Sequence, residues 1–144
     1  MNAEELMKEA TKAAENAYAP YSKFRVGAAL QMGDGTVITG VNVENRSFGL
    51  SNCAERTAIF TAVSQGKKDI KGIAIAGPDA WEPLPPCGAC RQVITEFCPA
   101  DTPVYYDNGN GGFITSSVGE LYPANSLMDM AEKNLSFYSN RQHG

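Results

Sequence analysis

Two short segments carry side chains able to do chemistry together: Asn52-Cys53-Ala54-Glu55-Arg56 and Pro85-Pro86-Cys87-Gly88-Ala89-Cys90-Arg91-Gln92. Each follows a loop-like stretch and opens a helix-forming one. Cys87 and Cys90 are three residues apart, so both thiols fall on one side of a helical turn. A helix start lowers a thiol pKa through its dipole and its free backbone N–H groups, which favours thiolates at neutral pH. This pair alone fits a redox dithiol or two core cysteines equally well. Cys53 adds a third thiol at a second expected helix start. Three protein ligands with a fourth position left for water is the layout of a catalytic zinc site, whereas structural zinc sites close all four positions. Cys98 lies in Thr95-Glu96-Phe97-Cys98-Pro99 at a helix end and reads as a small buried hydrophobe.

Glu55 follows Cys53 by two residues, a spacing that points two side chains apart on an ideal helix. The carboxylate reaches a metal at Cys53 only if Cys53 sits at the very tip and the ion lies off the helix end. The alternative is an acid stabilised by the helix dipole in the first turn. Three thiolates on one Zn²⁺ carry a formal charge of −1, which weakens the ion as a Lewis acid unless a neighbour draws charge from the sulfurs. Arg56 is placed to do so, together with backbone donors at the two helix starts; otherwise it is a surface helix arginine.

The rest of the composition narrows the function. The chain has 144 residues and a formal net charge of −4, and its densest basic cluster, Lys67-Lys68, is followed at once by Asp69. Gripping a phosphate backbone needs a basic patch, so neither a nucleic-acid partner nor an anionic membrane surface is expected. The acidic start Met1-Asn2-Ala3-Glu4-Glu5 is unlike a secretory signal, and a cytoplasmic location is expected. In that reducing compartment four cysteines point to metal or catalysis rather than to disulfides. The sole histidine, His143, stands in a polar tail.

Apolar spacing and breakers set the elements that must hold these groups. Asn2 caps a helix expected to run to about Tyr18. Phe24 to Met32 and Thr36 to Val43 read as strands of a hairpin around Gly33-Asp34-Gly35. Residues Asn42 to Asn52 form a loop, Cys53 to Gln65 a helix, Ile70 to Ala76 a strand buried on both faces, Asp79 to Pro86 a loop, and Cys87 to Phe97 a helix. Short strands Pro103 to Tyr106 and Phe113 to Thr115 flank a glycine-rich turn that lacks the lysine and the helix of a phosphate loop. One or two helices cover Val118 to Leu135. The expected fold is α/β: a three-layer α/β/α domain over residues 1–135 with a mixed five-stranded sheet, and a polar tail over 136–144.

The pair Cys-Ala-Glu-Arg and Pro-Cys-Gly-Ala-Cys-Arg-Gln resembles the small homotetrameric zinc-dependent cytidine deaminases of the cytidine and deoxycytidylate deaminase family. The likeness continues through Tyr18-Ala19-Pro20-Tyr21-Ser22, Phe24-Arg25-Val26-Gly27-Ala28, Asn42-Val43-Glu44-Asn45, Thr57-Ala58-Ile59-Phe60 and Val118-Gly119-Glu120-Leu121, most of the chain. The resemblance implies one zinc per chain on Cys53, Cys87 and Cys90, with Glu55 as the proton shuttle of a hydrolysis that turns cytidine or deoxycytidine into uridine or deoxyuridine in pyrimidine salvage. It implies that Arg56 donates to the cysteines, Asn42 and Glu44 hold the ribose 3′-hydroxyl, Phe24 packs on the pyrimidine, and the backbone of Ala54 and of the Cys87 turn reads the base edge. It implies a free nucleoside as the partner molecule and a homotetramer. The chain departs from the pattern at Phe48, Ser51 and the segment Tyr122 to Leu127. The rival readings are a deaminase of a modified cytosine nucleoside or cytosine-nucleoside antibiotic, a nucleic-acid deaminase, and a non-catalytic zinc module closed by Cys98.

Overall fold

The computed structural model describes residues 1–125 and 127. A five-stranded mixed sheet runs through the middle in the order β2-β1-β3-β4-β5, formed by β1 (Gly27–Met32), β2 (Val37–Val41), β3 (Ile70–Ala76), β4 (Pro103–Asp107) and β5 (Phe113–Ser117). All neighbours are antiparallel except β3 and β4. The parallel pair is joined through a helix, as a parallel crossover requires. The helices are α1 (Ala3–Ala13), α2 (Ala54–Ser64), α3 (Gly88–Phe97) and the single turn α4 (Val118–Leu121).

Alternation along the strands sorts the layers. Ala29, Ala74 and Ala76 face one side, where they pack with Leu6, Met7 and Ala10 of α1. Ala28, Leu30, Ile73, Ile75 and Val104 face the other and pack with Ala54, Ala58, Ile59 and Ala62 of α2 and Ile94 of α3. Small residues therefore meet the single helix and larger ones meet the helix pair, giving the expected α/β/α sandwich. Only Lys71 of β3 is exposed, as expected for a strand covered on both faces.

Several boundaries differ from expectation for local reasons. The first helix tightens into a 3₁₀ turn at Ala14–Asn16 and turns extended at Ala17, short of Tyr18. Phe24 to Val26 is not strand: the Asn42 side chain takes the partner's place, accepting from Val26 N–H at 2.9 Å and donating to the Phe24 carbonyl at 2.8 Å. Of the one or two helices expected over Val118 to Leu135, the first is the single turn that ends at Leu121, and Leu127 is again helical. Pro123 has no N–H to donate and restricts the residue before it, and Tyr122 accordingly leaves the helical region with φ −145° and ψ 71°. Residues 126 and 128–135, the polar tail and the domain boundary at 135 lie outside the described residues.

One close approach ties sheet to helix beside the reactive segments. A Cβ on Gly40 would sit 2.3 Å from the backbone nitrogen of Ala58 and 2.7 Å from the carbonyl oxygen of Ala54, so only glycine lets β2 lie against α2. Gly40→Ala should cost about 1–3 kcal/mol through overpacking and lower the melting temperature by roughly 3–10 °C. Gly49→Ala, which meets nothing within 4 Å, is the control. Calorimetric melts that coincide for the two variants would contradict the close approach.

Candidate metal centre

Strand register decides which loops meet. Gly27 at the start of β1 lies opposite both Val41 at the end of β2 and Ala76 at the end of β3, and Ile75 pairs with Tyr106 near the end of β4. The segments before β1, after β2 and after β3 therefore emerge at one edge of the sheet, the edge where ligand sites form in α/β folds. Val43 then bridges Asn52 in antiparallel fashion, which brings Asn42 alongside Cys53.

Cys53 and Cys87 occupy equivalent places. Each is the residue immediately before a helix, with extended backbone (φ −75°, ψ 155° and φ −67°, ψ 170°), and neither side chain caps its own helix. Their sulfurs are 3.8 Å apart, and Cys90, in the first turn of α3, stands 3.5 Å from Cys87. All three sulfurs lie within 4.8 Å of one another. Thiolates on a tetrahedral zinc at about 2.3 Å are about 3.8 Å apart, so the spacing fits that ion. Cys98 does not join the group. It is buried in the core with Ile94 and Val104, and burial pushes its thiol up to about 12. Among the described residues no fourth ligand atom lies within 4.8 Å of all three sulfurs, which leaves a tetrahedral ion one open position and counts against a sphere closed by Cys98.

The electrostatics fit a cation as well. Cys53 is pushed down to about 5, first by its contact with Cys90 and then by Arg56, against the opposing effect of burial. Cys90 is pushed up by the same contact and by burial; the pair holds one charge easily and a second only with a cation. Arg56 donates from Nη2 to the Cys53 sulfur at 3.3 Å. Its Nε–H is buried without a partner, an arrangement that suits a guanidinium facing sulfurs that all carry charge.

Glu55 is in the second position of α2 and only 4 % exposed. Cys53 stands at the helix tip, the position that the two-residue spacing to Glu55 called for. Burial first, and the Cys53 charge after it, push the carboxyl up to about 7, the range in which a group both takes and gives a proton.

Four residues are expected to contact a substrate. Ala54, the first residue of α2, is fully buried. Asn42 uses one amide hydrogen and one oxygen lone pair on the Phe24–Val26 segment, which leaves one of each free. Glu44 accepts from Tyr21 N–H at 3.1 Å, from Ser22 N–H at 3.0 Å and from the Ser22 hydroxyl. These bonds, the Ser22 hydroxyl foremost, hold its carboxyl below the usual range. Phe24 is half-buried and meets Trp81 edge-to-face, with centroids 5.9 Å apart and planes at 88°.

Sequence reasoning assigned no role to two arginines here. Arg25 makes a two-pronged ion pair with Asp79, at 3.0 and 2.9 Å, and its backbone N–H adds a third bond at 2.9 Å. This latches the segment before β1 to the loop after β3. Arg91 donates to the Pro86 carbonyl at 2.7 Å and to the Leu121 carbonyl at 2.9 Å. On the same helix, Gln92 accepts from the Tyr122 hydroxyl at 2.7 Å and Thr95 from Asn125 at 3.1 Å. Apart from Pro86, the partners are 30 or more residues away, so no local signal marks them.

Fold and site together define an α/β/α protein with a three-thiolate zinc centre between two helix tips. Residues 1–106 match the family described as the cytidine and deoxycytidylate deaminase zinc-binding region, and the chain belongs to that family. It is 56 % identical over 123 residues to a cytidine deaminase from Halalkalibacterium halodurans, covering 85 % of this chain and 92 % of the relative. The crystal structure of cytidine deaminase from Burkholderia pseudomallei superposes with a TM-score of 0.80 at 46 % identity, covering 85 % of this chain and 98 % of the other. A blasticidin-S deaminase from Bacillus cereus is 35 % identical over 109 residues, 71 % of this chain and 76 % of its own length.

Removing the guanidinium should expose the sulfurs' excess charge. Arg56→Ala is expected to weaken zinc binding by about 10- to 100-fold in competition with a chromogenic chelator, while Cys98→Ala keeps one zinc per chain. Undiminished affinity in the first, or metal loss in the second, would contradict this assignment.

Proposed function

We propose that the protein is a cytidine deaminase, hydrolysing the 4-amino group of cytidine and deoxycytidine to give uridine or deoxyuridine and ammonia. One combination supports this reading: three thiols whose spacing fits zinc, and two residues from one of them a buried carboxyl pushed up to about 7. Zinc held by Cys53, Cys87 and Cys90 supplies a Lewis acid that acidifies water at neutral pH.

The chain's own groups do the rest. Glu55 takes one proton from the water that attacks C4 of the base and delivers it to N3. It then takes the second proton from the hydroxyl formed at C4 and delivers it to the amine, so the C4–N bond breaks as the C4 carbonyl forms and ammonia leaves. Arg56 draws charge from the sulfurs. Backbone groups of Ala54 and the Cys87 turn meet the base edge, and Phe24 covers its face. The free amide hydrogen of Asn42 and the remaining acceptor of Glu44 suit the ribose hydroxyls. A carboxylate in that place repels a phosphate, which favours a nucleoside over a nucleotide or a polynucleotide.

The net charge of −4 agrees with a partner set free of nucleic acid and anionic membranes, and among the described residues no helix is long and apolar enough to cross one. The reading places the protein in the cytoplasm, in pyrimidine salvage, as a homotetramer. Phe48 and Leu50 are 74 % and 72 % exposed, and Phe48 packs edge-on with Tyr21 at 6.2 Å, an apolar surface beside the cleft of the kind that subunits cover. A second reading, a deaminase of a modified cytosine nucleoside or an antibiotic, draws on the blasticidin-S relative and on Leu127 in the C-terminal segment, where Ser126 is outside the described residues.

Glu55→Gln should bind zinc normally and lose cytidine turnover by at least about 10²- to 10⁴-fold, followed as the decay of cytosine absorbance; a variant that still turns over well would remove Glu55 from the mechanism. Light scattering of the zinc-loaded protein should give four times the chain mass, and a monomer would refute the assembly.

A further inference from the structure

Trp81 has no place in the reading so far, yet it stands against Phe24, the residue read as the wall of the base site. It lies six residues before Cys87, in the loop that leads directly into the metal site. Its ring meets Phe24 edge-to-face at 5.9 Å and 88°. It is also 75 % exposed, an unusual state for the one tryptophan of the chain.

The loop that presents it is fixed at several points. Asp79 is clamped by Arg25, the residue next to Phe24. Ala80 N–H closes a turn on the Gly77 carbonyl at 3.0 Å, and Leu84 N–H bonds the Asp107 carbonyl at 2.9 Å. Glu82 rests against Gly109, where an added Cβ would come within 2.2 Å of the Glu82 nitrogen; Gly109 also has φ +78°, a conformation that favours glycine. The indole is thus carried on a braced loop, and its exposure is built in. On the other side, Phe24 is tied through its carbonyl to Asn42, which lies alongside Cys53. An exposed aromatic on a rigid support, touching a residue of the cleft wall, is placed to bind.

We infer that Trp81 is a positioning and specificity residue of the nucleoside site: it fixes the ring plane of Phe24 and extends the aromatic wall outward from the pyrimidine. The inference rests on the reading of Phe24 as the wall against the base. Trp81 touches no reacting atom, so its contribution is to binding rather than to the chemical step. The outer wall it forms discriminates among cytosine nucleosides by what they carry beyond the pyrimidine ring.

The test uses the zinc-loaded protein. Trp81→Ala should raise KM for cytidine by roughly three- to tenfold, the span of an edge-to-face aromatic pair, with kcat and zinc content kept and the ratio of rates for 5-substituted cytidines to cytidine increased. Trp81→Phe should restore most of the loss. The emission of the unmodified protein, which comes from this tryptophan, should shift on titration with uridine. An unchanged KM in Trp81→Ala with emission unmoved by uridine overturns the inference, as does a fall in kcat and zinc content that Trp81→Phe fails to rescue. Failure of the functional reading shows elsewhere: it appears as no cytidine turnover by the unmodified protein, whereas unaltered uridine binding in Phe24→Ala removes the wall on which Trp81 acts.

Discussion

Three sulfur atoms within 4.8 Å of one another cannot all be ionised without a cation among them, and the rest of the molecule is arranged around that constraint. At an effective dielectric of about 20, two unit charges 4 Å apart repel by about 4 kcal/mol, so three thiolates alone would drive the helix tips apart. Two helix N-termini, a guanidinium and a divalent ion oppose that repulsion. Burial first, and the Cys53 charge after it, make the Glu55 carboxyl resist ionisation, and that reluctance makes it able to hand its proton on.

The sheet supplies the convergence. Because β1 is antiparallel to both its neighbours, the chain enters the site before β1 and leaves for it after β2 and β3, so three loops distant in sequence share one edge. The face toward α1 takes no part. Its alanines let a single helix lie close, and the chemistry is confined to the side where α2 and α3 begin. Helix α3 works in two directions, with its first turn at the metal and its flank holding the segment from Leu121 to Asn125 through Arg91, Gln92 and Thr95.

The chemistry of the centre was legible in the residues because it is local. Cysteine at a helix start needs only a loop before it and helix formers after it, and Glu55 two residues on has one geometry in which it meets the metal. The three layers followed from the alternation of elements. What could not be read was whatever depends on register or on long-range pairing. Phe24 to Val26 has the composition of a strand, yet the Asn42 amide bonds its backbone and the strand begins at Gly27. Arg25 and Asp79 are 54 residues apart, and nothing in either neighbourhood names the other. Helical spacing carried on past Leu121 in the sequence, whereas one proline ended it.

Cys53 and Cys87 lie 34 residues apart in sequence, on either side of β3, so a shared ion joins the chain across its central strand as a crosslink would. Tying together two points that far apart removes freedom from the unfolded chain equivalent to about 3–4 kcal/mol. Unlike a disulfide, this tie survives in a reducing environment and is set by metal supply. Zinc bound there would therefore hold the fold together as well as supply its chemistry.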